Sequence, residues 1–140
     1  MDFQIFPLKG VGLIKFDMSP YEVRAIIGSE YKTFKRTSQS SFPCDFFQSD
    51  GIFCYYDSSG LLEAVEFSGP ARPKIGDVDI LGAAFGKAVS LLSGLDDQTV
   101  LESDGAIAYQ LGISIFASLA KDDPSAPIES LLAFRSGYYN

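Results

Sequence analysis

One short segment, residues 18–28, carries the clearest signal for local structure in this chain. Ser19 is a favourable N-cap, Pro20 suits the first helical position, and Glu22 follows the cap by three residues, which predicts a helix that begins with a capping box. Gly28 suits the left-handed conformation that ends many helices. The helix has only about two turns, so it must pack on another element through its apolar residues, Val23, Ile26 and Ile27.

The clearest strand signal follows at residues 51–57 and 61–67. Residues 57–60, Asp-Ser-Ser-Gly, lie between these runs and predict a type I turn with glycine at the left-handed position, which makes a hairpin. Residues 45–48 predict another strand and thus a meander of about three strands. The simplest register, with residue 57 opposite residue 61, places Phe53, Tyr55, Asp57, Leu61, Glu63, Val65 and Phe67 on one face and Ile52, Cys54, Tyr56, Leu62, Ala64 and Glu66 on the other. The second of these faces suits packing against a helix.

The second half of the chain repeats this order loosely. Residues 82–94 have helical periodicity and end at Gly94, as the first helix ends at Gly28, and strand-like runs follow at 106–112, 113–117 and 128–135. We therefore predict an α+β fold in a single domain, residues 1–140. Two similar helix-then-strands units, pseudo-repeats at about 10–69 and 76–137, would form one continuous antiparallel sheet with helices packed on one face. The alternative is a chance similarity of two α+β halves.

Composition limits the partners that this chain can have. Its 140 residues are 46% hydrophobic and 14% aromatic, and it lacks an apolar run of membrane-spanning length and the pattern of a signal peptide, so we expect a soluble cytoplasmic protein. The net charge is −7, with residues 37–140 carrying five basic and fourteen acidic residues. Such a surface disfavours nucleic acid and membranes and favours a basic protein, although it also serves solubility alone.

The chain offers little for catalysis. It has no histidine and no glycine-rich phosphate loop, and its carboxylate pairs 96–97 and 122–123 are sequence neighbours that resemble ordinary acidic loops. Cys44 and Cys54 are expected to be free thiols, Cys54 in the core, and two cysteines without histidine do not build an ordinary zinc site. We therefore expect no enzyme activity, no cofactor and no metal.

Aromatic and acidic residues recur at the ends of the predicted strands. Tyrosine and phenylalanine supply rigid apolar area to protein interfaces, and neighbouring charges select the partner. Each tyrosine alone is also compatible with core packing. The predicted contact residues are Phe53, Tyr55, Asp57 and Glu63 in the first unit and Tyr109, Glu129, Arg135, Tyr138 and Tyr139 in the second.

Residues 18–28, Met-Ser-Pro-Tyr-Glu-Val followed by Ile-Ile-Gly, resemble the repeat element of SmpA/OmlA and β-lactamase-inhibitor-protein-like domains, with Asp17 in place of the usual glycine. The resemblance implies helices followed by antiparallel strands and, in the tandem inhibitors, target binding by the concave sheet.

In overall character, including residues 51–67 and 128–139, the chain is similar to bacterial immunity proteins of polymorphic toxin systems. This implies a cytoplasmic inhibitor, a monomer or weak homodimer, that neutralises a cognate secreted toxin domain. The alternative functions are a small-molecule or peptide-binding module that uses the same sheet face and an assembly protein.

Overall fold

The computed structural model describes residues 2–139, which form an α+β fold of two helices and thirteen strands in two sheets. Helix α1 is Pro20–Ile27 and helix α2 is Phe85–Leu95. The strands are β1 Asp2–Phe6, β2 Gly10–Val11, β3 Ile14–Lys15, β4 Lys32–Phe34, β5 Cys44–Phe47, β6 Ile52–Tyr56, β7 Leu62–Phe67, β8 Arg72–Ile75, β9 Val78–Asp79, β10 Val100–Glu102, β11 Gly105–Ala108, β12 Ile113–Phe116 and β13 Ser130–Phe134.

The larger sheet has eight strands in the order β10-β11-β12-β13-β7-β6-β5-β4, and all its neighbouring strands are antiparallel. It takes four strands from each half of the chain, which meet at β13 and β7. The prediction of one continuous sheet is not confirmed, because β1, β2, β3, β8 and β9 form a second, five-stranded sheet. Strands β1 and β8 of that sheet pair in parallel.

The main core lies on one side of the larger sheet. Buried residues of α1 and α2, such as Val23 and Leu92, join one apolar cluster with sheet residues such as Phe67 and Ile113. The smaller sheet packs into the same cluster, where the Phe3 ring lies 5.4 Å from the Phe67 ring, centroid to centroid. Both helices therefore cover the same face of the larger sheet, and neither helix packs on the opposite face.

The predicted start and end of α1 are confirmed. The Ser19 hydroxyl accepts a hydrogen bond from the Glu22 N–H, the Glu22 carboxylate accepts one from the Ser19 N–H, and Gly28 adopts φ 75°. The corresponding prediction for α2 is wrong. Gly94 lies inside that helix, which runs on to Leu95 and is followed by the buried Asp96 in an extended conformation.

The hairpin β6–β7 is confirmed, but half of its predicted face assignment is wrong. The turn forms as expected, with Gly60 at φ 80°. A β-bulge at Glu63 shifts the register, so Tyr55 pairs with Ala64 and Tyr56 with Leu62. Beyond the bulge every β7 side chain changes face. Ala64 and Glu66 therefore lie opposite the helices, while Val65 and Phe67 enter the core.

Candidate functional site

The candidate site is the face of the larger sheet opposite the helices, which we call the outer face. Directly paired residues of an antiparallel sheet project to the same side, so the register identifies this face strand by strand. One row crosses all eight strands and contains aromatic, aliphatic and polar side chains, each half-buried or exposed. From β4 to β10 the row is Lys32, Phe46, Phe53, Glu66, Leu132, Ser114, Ile107 and Val100.

Four rings on the β4–β6 side of the outer face form a first aromatic group, Phe34, Phe46, Phe53 and Tyr55. Phe46 and Phe53 are stacked with their centroids 4.2 Å apart. Phe34 meets Phe53 edge to face at 5.9 Å, and Tyr55 lies parallel to Phe53 at 6.3 Å. Such offset and edge-to-face contacts are favourable arrangements of aromatic pairs. The alternation of β5 and β6 places these rings here.

A second aromatic group comes from the other half of the chain and consists of Tyr109, Phe134, Tyr138 and Tyr139. Phe134, at the end of β13, lies 5.5 Å from the Tyr138 ring and 5.0 Å from the Tyr139 ring. Tyr109 meets Tyr139 edge to face at 5.4 Å. Tyr109 and Tyr139 are 43% and 48% exposed, so this group presents rings to solvent.

Arg36 joins the two aromatic groups. Its guanidinium carbon lies 4.0 Å from the centroid of the Tyr55 ring, which is a cation–π contact, and its Nη1 donates a hydrogen bond to the Tyr138 hydroxyl at 3.4 Å. Burial lowers the pKa of Arg36, but the contacts with Tyr138 and Tyr55 outweigh it and raise that pKa. The positively charged side chain of Arg36 thus links rings from both halves of the chain into one surface.

The Tyr55 hydroxyl donates a hydrogen bond to the Glu66 carboxylate at 2.5 Å. Burial, together with this bond, raises the pKa of Tyr55, so its hydroxyl stays a donor at any physiological pH. Glu66 is paired with Phe53 across β6 and β7. The Glu66 carboxylate therefore lies beside the first aromatic group, held by the Tyr55 hydroxyl.

Beside the outer face, Arg135 collects three carboxylates. Its guanidinium binds Asp17 and Asp57, each at 2.7 Å, and lies 3.9 Å from Glu63. Its backbone N–H donates to the carbonyl of Glu63, the bulge residue. We call these four residues the Arg135 cluster. Because three carboxylates surround one guanidinium, the net charge of the Arg135 cluster is negative.

The pKa values of this cluster follow from burial and pairing. Burial raises the pKa of Asp57, but hydrogen bonds from the Leu61 and Ser59 N–H groups and from Arg135 outweigh it, so that pKa is lowered. Burial raises the pKa of Glu63, which Arg135 only partly offsets. Folding thus favours the ionised form of Asp57 and disfavours the ionised form of Glu63.

The nine predicted contact residues fall in three places. Phe53, Tyr55, Tyr109, Tyr138 and Tyr139 lie in the two aromatic groups, while Asp57, Glu63 and Arg135 lie in the Arg135 cluster. Glu129 lies apart from both and caps the Ser118 turn, where its carboxylate accepts hydrogen bonds from the Ser118 N–H at 2.6 Å and from the Ser118 hydroxyl. Those bonds lower the pKa of Glu129.

Phe34, Arg36, Phe46 and Glu66 belong to the outer face but are not among the predicted contact residues. The Asp-Phe-Phe alternation of residues 45–47 is a usable signal, because a strand there must expose one of two adjacent phenylalanines. The simplest register assigns Glu66 to the helix side, because nothing in the local sequence marks the bulge. Arg36 gives no local signal, since its partners are 19 and 102 residues away in the sequence.

A buried charge pair lies on the opposite, helix side of the sheet. Asp45 is fully buried and accepts hydrogen bonds from Arg24 Nε at 2.9 Å, from Arg24 Nη2 at 2.7 Å and from the Tyr56 hydroxyl at 2.8 Å. Arg24 also lies 4.4 Å over the Tyr31 ring. The Arg24 bonds tie α1 to β5 and the Tyr56 bond ties β6 to β5, so this network has a structural role.

The prediction for the cysteines is confirmed, because Cys44 and Cys54 are free, buried thiols and Cys54 belongs to the main core. Burial raises the pKa of both thiols, so neither is an activated nucleophile. Among residues 2–139, no group of three or more His, Cys, Asp or Glu side chains is placed to hold a metal ion. Neither of the helices described has the length and apolar character needed to cross a membrane.

A polar cleft of about 400 Å³ separates the loop after β4 from the Arg135 cluster. Arg36, Phe42, Cys44, Asp57 and Glu63 are among its lining residues. The cleft therefore connects the cation of the outer face with two carboxylates of the cluster.

Comparison of the chain with protein-family models, with curated proteins and with solved structures gives no match.

Proposed function

We propose that this chain is a non-enzymatic immunity protein that binds and neutralises a cognate secreted bacterial toxin domain. The observation that carries the proposal is the outer face, where two aromatic groups joined by Arg36 extend across a sheet whose other side is packed against the helices. Rigid rings of this kind supply contact area at a low cost in conformational entropy. We propose that the protein acts by contact and requires no cofactor.

The charge of the chain supports a basic partner. Residues 37–140 carry a net charge of −9, and the Arg135 cluster places three carboxylates beside the aromatic rings. Negative charge next to a contact face speeds encounter with a positive surface and disfavours nucleic acid or membrane as the partner. A nuclease domain, which needs a basic surface to bind its substrate, fits this requirement. The proposed place of action is the cytoplasm of the producing bacterium.

We further propose that the larger sheet descends from two similar units. The order of elements supports this, since α1 is followed by β4–β7 and α2 by β10–β13, and the last strands of both series pair at the centre of the sheet. The outer face would then be a composite surface, with one aromatic group from each unit.

If the proposal is right, a toxin domain is encoded beside the gene for this chain, and that domain is the binding partner used in the test. Calorimetry should give tight stoichiometric binding, and co-expression should protect cells from the toxin. Phe53→Ser and Tyr139→Ser should weaken binding by about tenfold or more, because each removes a central ring from the contact face. The matched control is Tyr21→Ser, since Tyr21 is 82% exposed on α1, away from the outer face. No binding and no protection, or equal losses in all three variants, would contradict the proposal.

A second candidate function is the binding of a small molecule or peptide, and the polar cleft beside Arg36 favours it. Its volume of about 400 Å³ lies in the range of ligand sites. A cationic peptide should then raise the melting temperature of the protein, and Glu63→Gln should reduce that shift while Phe53→Ser leaves it unchanged. The toxin-binding proposal instead expects Phe53→Ser to weaken binding of the toxin domain more than Glu63→Gln does.

A further inference from the structure

Both edges of the larger sheet are exposed along their whole length. Strand β4 forms one end of the strand order and pairs with β5, and β10 forms the other end and pairs with β11. All six residues of the two strands are exposed. Edge strands present backbone N–H and C=O groups that a further strand can bind.

We propose that the chain self-associates head to tail, with β4 of one copy pairing antiparallel to β10 of the next. Every neighbouring pair in this eight-stranded sheet is antiparallel, so the two edge strands run in opposite directions. A second copy placed beside the first in the same orientation therefore presents β10 antiparallel to β4. The outer faces of the two copies then lie on the same side.

The faces of the two strands determine the register. Lys32 and Val100 end the same cross-strand row of the outer face, so Phe34 and Glu102, two residues along, share that face. If Thr33 pairs with Leu101, the two strands are aligned over their full length. This register places Lys32 opposite Glu102 and Phe34 opposite Val100. Opposite charges and aromatic–β-branched pairs are both stabilising cross-strand neighbours.

Charge selects this arrangement over its two symmetric alternatives. Lys32 lies on β4 and Glu102 lies on β10, and residues 97–104 include no basic residue. In the same register, pairing of β4 with β4 would place Lys32 opposite Phe34, and pairing of β10 with β10 would place Glu102 opposite Val100. Neither symmetric alternative therefore forms an opposite-charge pair, and each places two like charges diagonally across the new ladder. Lysine on an edge strand prevents pairing with a like edge, but it complements an acidic one.

The resulting contact is heterologous, because it joins two different edges, so it can continue from copy to copy. The assembly does not depend on the toxin-binding proposal, since it uses the sheet edges and leaves the outer face open. The short edge strands, three residues each, make it reversible and concentration-dependent.

Sedimentation velocity over a concentration series at low ionic strength tests the proposal, with two single charge reversals that leave the backbone unchanged. The native chain should associate, whereas Lys32→Glu and Glu102→Lys should each weaken association by about three- to tenfold. The chain with both substitutions, in which the charges of the proposed pair are exchanged, should associate again. About 1 M salt should weaken association of the native chain, because the Debye length falls to about 3 Å.

Oxidative cross-linking tests the register. A mixture of Thr33→Cys and Leu101→Cys chains should form a disulfide-linked pair, and either chain alone should not. Cys44 and Cys54 are buried and do not compete. The proposal is overturned if the native chain stays monomeric at millimolar concentration, if the double variant does not recover association, or if Thr33→Cys cross-links to itself as readily as to Leu101→Cys.

Discussion

The guanidinium of Arg36 is stacked on the Tyr55 ring, with 4.0 Å between its central carbon and the ring centroid. The same side chain donates a hydrogen bond to the Tyr138 hydroxyl. One residue of the loop after β4 thus contacts a strand of the first half and the last segment of the second. The outer face therefore exists as one surface only because the two halves of the chain are brought together.

The first prediction concerns this contact. Arg36→Ala should lower the free energy of unfolding by about 0.5–1 kcal/mol, the usual contribution of a cation–π contact at an exposed site. Arg36→Lys should lose less, because an ammonium group keeps the charge over the ring but lacks the planar stacking of guanidinium. Urea unfolding followed by circular dichroism measures both. The neighbouring Lys35→Ala is the control, and a loss as large as that of Arg36→Ala would contradict the role of the Tyr55 contact.

The second prediction compares a buried ion pair with an exposed one. Arg24→Ala leaves the carboxylate of Asp45 buried without its charged partner, so it should lower the free energy of unfolding by about 3–5 kcal/mol. Arg72→Ala breaks the exposed pair with Asp79, at 3.2 Å, and should cost about 0–1 kcal/mol. Thermal unfolding of the two variants gives the comparison.

A double substitution separates the two causes of that loss. Arg24→Met with Asp45→Leu removes both charges, and it should be less destabilising than Arg24→Ala alone because no charge remains buried. If the double variant has a lower free energy of unfolding than Arg24→Ala, the ion pair contributes net stability and the explanation by desolvation is wrong.

Local signals are enough to predict α1 and the β6–β7 hairpin. The capping box of Ser19 and Glu22 and the glycine at position 60 act within four residues, so their chemistry is visible in the sequence. The bulge at Glu63 depends on a strand from the other half, since the Arg135 N–H binds the Glu63 carbonyl. The same holds for the parallel pairing of β1 with β8. Contacts of this kind have no signature in a single segment.

For the candidate site, the sequence predicts which types of residue form the contact surface, but it does not predict which of those residues lie together. Five predicted aromatic contact residues lie in the two aromatic groups, whereas other aromatic residues of the same strands, such as Phe47 and Tyr56, enter the core. The grouping of Asp57 and Glu63 around Arg135 comes only with the structure, since β13 brings Arg135 beside a hairpin more than sixty residues earlier.

The third prediction tests the corrected end of α2. Gly94 lies inside the helix, and no atom of the surrounding protein lies within 4 Å of the place that an alanine methyl group would take. Gly94→Ala should therefore raise the free energy of unfolding by about 0.5–1 kcal/mol. Gly28 adopts φ 75° after α1, so Gly28→Ala should lower it by about 1–2 kcal/mol. Equal losses in both variants would mean that Gly94 ends α2 after all. Chemical denaturation of the two variants decides between these outcomes.

The last prediction concerns pH and uses two carboxylates with opposite shifts. The pKa of Asp57 is lower in the folded protein than its ordinary value of 3.8, so its ionised form contributes stability that is present above that value and is lost as the pH falls through the folded pKa. Asp57→Asn should therefore be less stable than the native chain at neutral pH. The difference should shrink below about pH 4.

Glu63 should behave in the opposite way, because its pKa is raised in the folded protein above the ordinary 4.5. Its charged form is disfavoured by folding, so Glu63→Gln should be more stable than the native chain at neutral pH, and the gain should disappear on acidification. Urea unfolding of the three chains across this pH range measures both differences. Curves that stay parallel at every pH would show that neither carboxylate changes its pKa on folding, and the assigned roles of Arg135 and burial would then be wrong.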